Sequence, residues 1–413
     1  MADFGGGVDG FRAEARLWLE RNFPPALKGD AAGQLAAAMG GRVSADAALW
    51  SQRMGARGWG TPTWPKAYGG GGLSRAEARA LAEEMAVIGA RNPIGGMGVM
   101  MFGPTLLEVG TETQKARHIP PIVRGEIRWC QGYSEPGSGS DLASLQTRCE
   151  DQGDHWLING QKIWTSGANL ADWCFCLVRT DPARKHEGIS FVLIDMRTPG
   201  VETRPILLIN GTSPFCETFF TDVKVPKENL MGPLNGGWTI AKRLLQFERE
   251  NISASLGAGD SPAMGAAVAG VEAVARRYVG LDDAGVLSDA DYRGRMVQHA
   301  MEGRAFRLTT RRAAEESRSN QGPSAATSIM KYAGAKLAQD RTELAVEAMG
   351  DRGLGWRGED FEAAELSTTR AWLRSKANSI EGGTSEINLN VVSKRVLGLP
   401  DPKSSAWKAG SQG

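Results

Sequence analysis

The hydrophobic period of this 413-residue chain changes twice along its length, and that limits the architectures open to it. Residues Phe11 to Asn22 and Ala45 to Ala56 carry apolar side chains three to four positions apart, the spacing that gives a helix one apolar face. Ser74-Arg-Ala-Glu77 and Thr111-Glu-Thr-Gln114 each have capping-box form, so each marks a helix start. Pro62, Pro65 and the Gly69–Gly72 run separate these helices. Beyond about residue 130 the period falls to two. His155 to Trp164, Ala171 to Arg179, Ile189 to Ile194 and Glu217 to Val225 read as short strands with polar turns and no helices between them, which predicts an antiparallel sheet or barrel. From Gly237 long helical patterns return, at about 238–278, 288–319, 324–349 and 360–380. The expected fold class is α+β: an N-terminal helical domain (1–129), a central antiparallel β-domain (130–235), a C-terminal helical bundle (236–399) and a loose tail (400–413).

Charge excludes some functions. With 48 basic and 47 acidic residues the net charge is +1, which gives no electrostatic case for nucleic acid or an anionic membrane. The first residues lack a secretory signal, and the apolar run Ile94 to Phe102 is too short to span a bilayer. A soluble, cytoplasmic protein is expected. Cys174 and Cys176 alternate on one face of a strand and read as reduced, half-buried thiols. No cysteine or histidine spacing suggests a metal. Gly5, Gly7 and Gly10 match the dinucleotide fingerprint G-x-G-x-x-G, but no strand precedes them, so the match reads as chance.

The informative stretch is Gln131-Gly-Tyr133-Ser134-Glu-Pro-Gly-Ser-Gly-Ser140-Asp141, where small hydroxyls and glycines offer backbone N–H groups to a flat or anionic ligand. Physics alone also allows an ordinary glycine-rich turn. The run Tyr133 to Asp141 resembles the signature of the acyl-CoA dehydrogenase family. Gly160-Gln-Lys-Ile-Trp164-Thr-Ser166, Phe219 to Pro226, Ile380-Glu-Gly-Gly-Thr384-Ser-Glu386-Ile387 and Arg395 to Pro400 match that family in order and spacing. The likeness covers about residues 8 to 400. It implies bound FAD, an acyl-CoA substrate and electron-transfer flavoprotein as acceptor. By motif position, Gln131, Tyr133 and Ser134 would line the flavin, partly through backbone groups; Trp164 would flank its ring and Ser166 would lie near N5. Composition alone would make Trp164 a core aromatic. Thr384 and Glu386 would approach the cofactor, and Ser140 the acyl-CoA.

The implied reaction needs a base for the weakly acidic α-proton. Many family members place a glutamate directly before Gly-Thr-Ser; here that position is Gly382, and Glu381 is one residue off. Isovaleryl-CoA dehydrogenase and its long-chain relatives place the base on a helix before an arginine, which corresponds to Glu248-Arg249. Leu244, Glu248 and Ile252 share a helical face with Ala241 and Ser255, so Glu248 interrupts an apolar stripe where desolvation would raise its pKa. Simple pairing of Glu248 with Arg249 or a neighbouring helix is the competing reading. By the same resemblance, the Gly382 N–H and a flavin hydroxyl would bind the thioester carbonyl, and Arg249 would lie on the substrate side.

Two elements depart from the family pattern. The stretch that usually reads Arg-x-x-Phe-Gly is Tyr292-Arg-Gly-Arg295-Met-Val, and the usual Gln with paired glycines is Glu347-Ala-Met-Gly350-Asp351. A carboxylate facing a pyrophosphate would repel it. With these departures, the resemblance implies either a homotetramer, with Arg293 or Arg295 on the pyrophosphate, or, as in some bacterial relatives acting on steroid side chains, a heterotetramer with a related subunit and fewer flavins than chains. An oxidase of the same fold and a non-catalytic partner subunit are the alternative functions. The chain also resembles bacterial acyl-CoA dehydrogenases of steroid side chains and branched acyl groups, and this likeness, with the base position, implies a branched, cyclic or bulky acyl group.

Overall fold

The computed structural model describes residues 7–30, 33–34, 43–257, 270–319 and 327–400. The chain divides into two compact units, Met1–Ile206 with Ser213–Glu250 and Leu207–Thr212 with Asn251–Gly413.

The first unit opens with helices α1 (Val8–Asn22), α2 (Ala45–Arg57), α3 (Arg75–Val87), α4 (Gly103–Val109) and α5 (Glu112–Val123). Both expected capping boxes form: Ser74 accepts from the Glu77 amide and Thr111 from the Gln114 amide, while the Glu77 and Gln114 side chains take the cap N–H groups. Gly10 lies inside α1 and Gly7 caps it, so the fingerprint glycines are not preceded by a strand among the described residues; Gly5 lies outside them. Arg12 and Arg16 of α1 hold Glu84 of α3 at 3.0 and 2.8 Å, and their bonds keep its carboxyl below the usual range.

The strands are β1 (Trp129–Gly132), β2 (Arg148–Asp151), β3 (His155–Ser166), β4 (Trp173–Arg179), β5 (Ile189–Asp195), β6 (Val201–Ile206) and β7 (Phe215–Pro226). They form one sheet in the order β1-β4-β2-β3-β7-β6, with β5 also on β4. Most pairs are antiparallel, as expected, but β1 lies parallel to β4 and Arg148 of β2 meets Arg179 of β4 in parallel. The excursion between β1 and β4 carries the β2–β3 hairpin and is long enough to return the chain in the same direction. Strand β6 escapes the sequence pattern because it is an edge strand bearing Pro205, a residue that edges tolerate and that obscures alternation.

Alternate residues of the central strands feed two cores. Phe175, Leu177, Phe191 and Leu193 pack with Phe102, Ile119 and Leu244 on the helix side. Cys174, Cys176 and Val178 pack with Trp156, Ile158 and Val223 on the other. Cys174 and Cys176 are therefore fully buried, not half-buried, because β4 is covered on both faces. All five cysteines are free and buried, and burial pushes the Cys149 thiol up to about 12. No helix among the described residues is long and apolar enough to cross a membrane.

His118 of α5 is 2% exposed, its ring edge-on to Trp129 and Trp173 at 5.1 and 4.7 Å. Burial, with help from the Arg117 charge, drives its pKa down to about 4. The folded state thus accepts the neutral ring and resists the imidazolium. No penalty exists above the unfolded pKa near 6.5; it grows as pH falls from there towards 4, reaching roughly 3 kcal/mol. Urea unfolding at pH 7 and pH 4.5 should show this loss in wild type and not in His118→Gln; equal pH slopes in the two proteins would refute it.

The second unit contains α7 (Val271–Tyr278), α8 (Ala290–Ser319), α9 (Thr327–Ala348), α10 (Ala363–Ser375) and α11 (Ser385–Val391), and α6 (Gly237–Gly257) precedes them. Val274, Leu287, Tyr292, Leu344 and Met349 form a shared core. The expected helix over 238–278 is described at both ends, while residues 258–269 lie outside the description.

Candidate active site

The loop after β1 is braced by buried charge. Glu135 carries a carboxylate that burial alone would drive towards neutrality. The Lys162 ammonium at 2.7 Å and the amides of Gln146 and Thr147 at 2.6 and 2.9 Å outweigh that and hold it below the usual carboxylate range. Lys162 is 0% exposed and also donates to the Tyr133 carbonyl at 3.1 Å. Arg179 of β4 donates to the carbonyls of Ala143, Leu145, Arg184 and Lys185. These bonds fix both flanks of the segment that carries Ser140. Ser140 itself is exposed, and the adjacent Asp141 is paired with Lys185 at 2.8 Å. The loops border an open cleft of about 510 Å³, lined by Gly137, Ser138, Ser144, Thr147 and Gln161.

The Tyr133 ring lies in the core, edge-on to Phe175 and Phe191, so its side chain is not offered at the surface. Gln131 and Ser134 are half-buried, and the Ser134 carbonyl accepts from the Ile163 amide at 2.9 Å. That bond ties the loop to the end of β3. There the register slips: Lys162 pairs with Thr218 and Thr165 with Cys216, so β3 carries one extra residue. The bulge puts Trp164 at φ 60, a left-handed conformation rare for a bulky residue. It also leaves the indole 52% exposed, edge-on to Phe215 at 6.1 Å, so Trp164 is no core aromatic. Ser166 follows, half-buried. Such backbone strain costs about 1–3 kcal/mol and gathers at functional sites. An open indole face beside a hydroxyl-rich loop suits a planar ring, so these residues fit the isoalloxazine of FAD.

The second unit holds the other motif. Gly382 and Gly383 both adopt left-handed conformations, at φ 62 and 89, which a glycine pair takes without strain. Thr384 caps α11 by accepting from the Ile387 amide, and Glu386 is exposed in the first turn. Glu381 is bonded to Arg374 at 2.7 Å and so is engaged elsewhere. Arg295 is paired with Glu347, and Arg293 donates to the Leu287 carbonyl. Glu248 and Arg249 belong to α6, but their side chains lie outside the described residues.

Lys162 and Arg179 were missed as site residues. A signal existed for the first, because Lys162 shares parity along β3 with Trp156 and Ile158, both buried. An inward lysine requires a carboxylate.

Domain models of acyl-CoA dehydrogenase match the chain at residues 9–126 (N-terminal domain), 130–223 (middle domain) and 235–397 (C-terminal domain). Acyl-CoA dehydrogenase IpdE1 of Mycobacterium tuberculosis is 36% identical over 401 residues, covering 95% of this chain and 98% of that protein. The chain belongs to the acyl-CoA dehydrogenase family. It is thus an oxidoreductase by family, with the helical–β–helical architecture of acyl-CoA dehydrogenases. Two solved structures are also similar: the Tcur3481-Tcur3483 steroid ACAD, with a TM-score of 0.73 and 30% identity over 97% of this chain and all of that one, and the ChsE4-ChsE5 complex from Mycobacterium tuberculosis, with a TM-score of 0.71 and 28% identity over 97% of this chain and 100% of that one.

Proposed function

We propose that this acyl-CoA dehydrogenase removes the α-proton and β-hydride of a branched, cyclic or otherwise bulky acyl-CoA, giving the trans-2-enoyl-CoA. FAD, when bound, would supply the hydride acceptor, and an electron-transfer flavoprotein would drain the electrons. Gln131, Ser134, Trp164 and Ser166 would hold the flavin ring, Tyr133 through its backbone, with Thr384 and Glu386 supplying further cofactor contacts. Ser140 and Arg249 would bind the acyl-CoA. Glu248 would take the proton, and the Gly382 N–H would donate to the thioester oxygen as charge gathers there. The observation that carries this reading is the turn at 381–383: its glutamate is tied to Arg374 and its next residue is glycine, so the base must come from elsewhere. Glu248 lies one helical turn beyond Leu244, which is buried in the core. The likeness to a steroid ACAD supports a bulky acyl group. The same reading divides the chain at 1–129, 130–235, 236–399 and 400–413 and sets it in the cytoplasm.

An anaerobic panel of acyl-CoA thioesters with a dye acceptor tests this. Bulky acyl groups should bleach the flavin and reduce the dye, with slow reoxidation in air. Fast reoxidation by O2 would mark an oxidase, and no bleaching with any thioester would defeat the proposal.

One observation favours a heteromer. The Arg295–Glu347 pair spends a cation that would otherwise suit a pyrophosphate, and both solved relatives named above are two-component complexes by name. The chain produced alone should therefore retain clearly less than one FAD per chain, and co-production with a related subunit should raise occupancy. Full occupancy in a lone homotetramer would end this part of the reading.

A further inference from the structure

We infer that Lys331 is a positioning residue for the thioester carbonyl, fixing the Gly382–Thr384 turn from beneath and setting a positive charge behind it. The inference rests on the reading of Gly382 as the carbonyl-binding donor.

Three observations carry it. The Lys331 ammonium donates to the Asn378 carbonyl, four residues before Gly382, and so anchors the segment that leads into the turn. A Cβ built on Gly382 would meet Lys331 Cε at 3.9 Å and nothing nearer, so the lysine stem is the floor under the turn. Lys331 is half-buried yet makes no ion pair among the described residues. Burial, the largest influence, pulls its pKa below the ordinary lysine value, while Glu381 and Glu386 oppose that from a distance. Glu381 is satisfied by Arg374.

A partly desolvated ammonium bound to a neutral carbonyl costs more than a cap for structure alone requires. An ammonium has three donors, and the carbonyl bond uses one. A carbonyl cap at the end of the 3₁₀ turn Lys376–Ser379 could be made by any long cation that reaches it. What a cap does not require is charge beside the glycine whose amide is assigned to a developing enolate. There, a fixed cation stabilises the transition state more than the ground state.

The test compares Lys331→Met and Lys331→Arg in the holoenzyme, with any partner subunit present. The readouts are kcat and KM with the best thioester of the panel, the thermal midpoint, and the long-wavelength absorbance of a bound 3-thia analogue of that same thioester, which reports ionisation at its α-carbon. Lys331→Met should lower kcat about 30-fold with KM changed less than about threefold, and should weaken the absorbance band. Lys331→Arg should recover kcat to within about fivefold, with both midpoints within a few degrees of wild type. An active wild type whose Lys331→Met variant keeps its kcat and band overturns this inference alone. So does a loss of kcat matched by a collapse of the midpoint, which marks a structural cap. A wild type with neither turnover nor band overturns the dehydrogenase reading and this inference with it.

Discussion

Glu248→Gln should lower turnover by at least about a hundredfold, the scale of general-base catalysis, while KM stays within a few-fold. The substitution keeps volume and hydrogen bonding and deletes only the capacity to take a proton. A thioester α-proton is too weakly acidic to leave unaided, so no other term fills the gap once the base is lost. The proposed base follows Leu244, which is fully buried, by one helical turn. The neighbouring candidate offers a control. Glu381 already holds Arg374, so Glu381→Gln should change turnover far less. A Glu248→Gln enzyme that retains more than a tenth of wild-type turnover would remove Glu248 from the mechanism. If Glu381→Gln then proved dead, the base would have been misassigned between the two.

Lys162→Met should be the most damaging change to stability, at about 3–5 kcal/mol, because it leaves the Glu135 carboxylate buried without its cation. Against a typical total of about 5–15 kcal/mol, that can be most of what holds a domain folded. The sign with pH is fixed by the ion pair. In wild type the Glu135 carboxyl is held below its ordinary range, so its contribution is present at neutral pH and is lost as pH falls through the folded pKa. In Lys162→Met the same carboxyl is stranded, its pKa rises, and protonation relieves it. The stability gap between the two proteins should thus be widest near pH 7 and narrow on acidification. Adding Glu135→Gln to Lys162→Met should recover a large part of the loss, since no uncompensated charge is left. Urea denaturation at pH 7 and pH 5 gives all of these comparisons. A single variant within about 1 kcal/mol of wild type at pH 7 would show that the pair is not the brace proposed for the loop.

What could be read in advance was whatever short-range chemistry decides. Ser74 and Thr111 start helices because the groups that satisfy their free amides lie three residues away, inside the same local pattern. The strands with clean alternation were legible for the same reason. Trp164 was not, because its exposure follows from the extra residue that β3 carries against β7, and pairing with a strand about 50 residues away leaves no local trace. Nor could spacing join Lys162 to Glu135 or Arg179 to the carbonyls it binds. Of the site, the loop residues and the glycine turn were placed by motif likeness, whereas the charges that support them emerge from packing.

The shielding of every native thiol has a practical use. Thiol reagents attack the thiolate, and here each sulfur is both enclosed and, for Cys149, pushed far from ionisation at neutral pH. A folded sample should therefore be silent to maleimide dyes, with no need to strip cysteines first. One new cysteine at an exposed position in each compact unit, such as Gln152→Cys and Arg304→Cys, would take the label cleanly. Such a pair gives each compact unit its own optical reporter, read against a background with no native label.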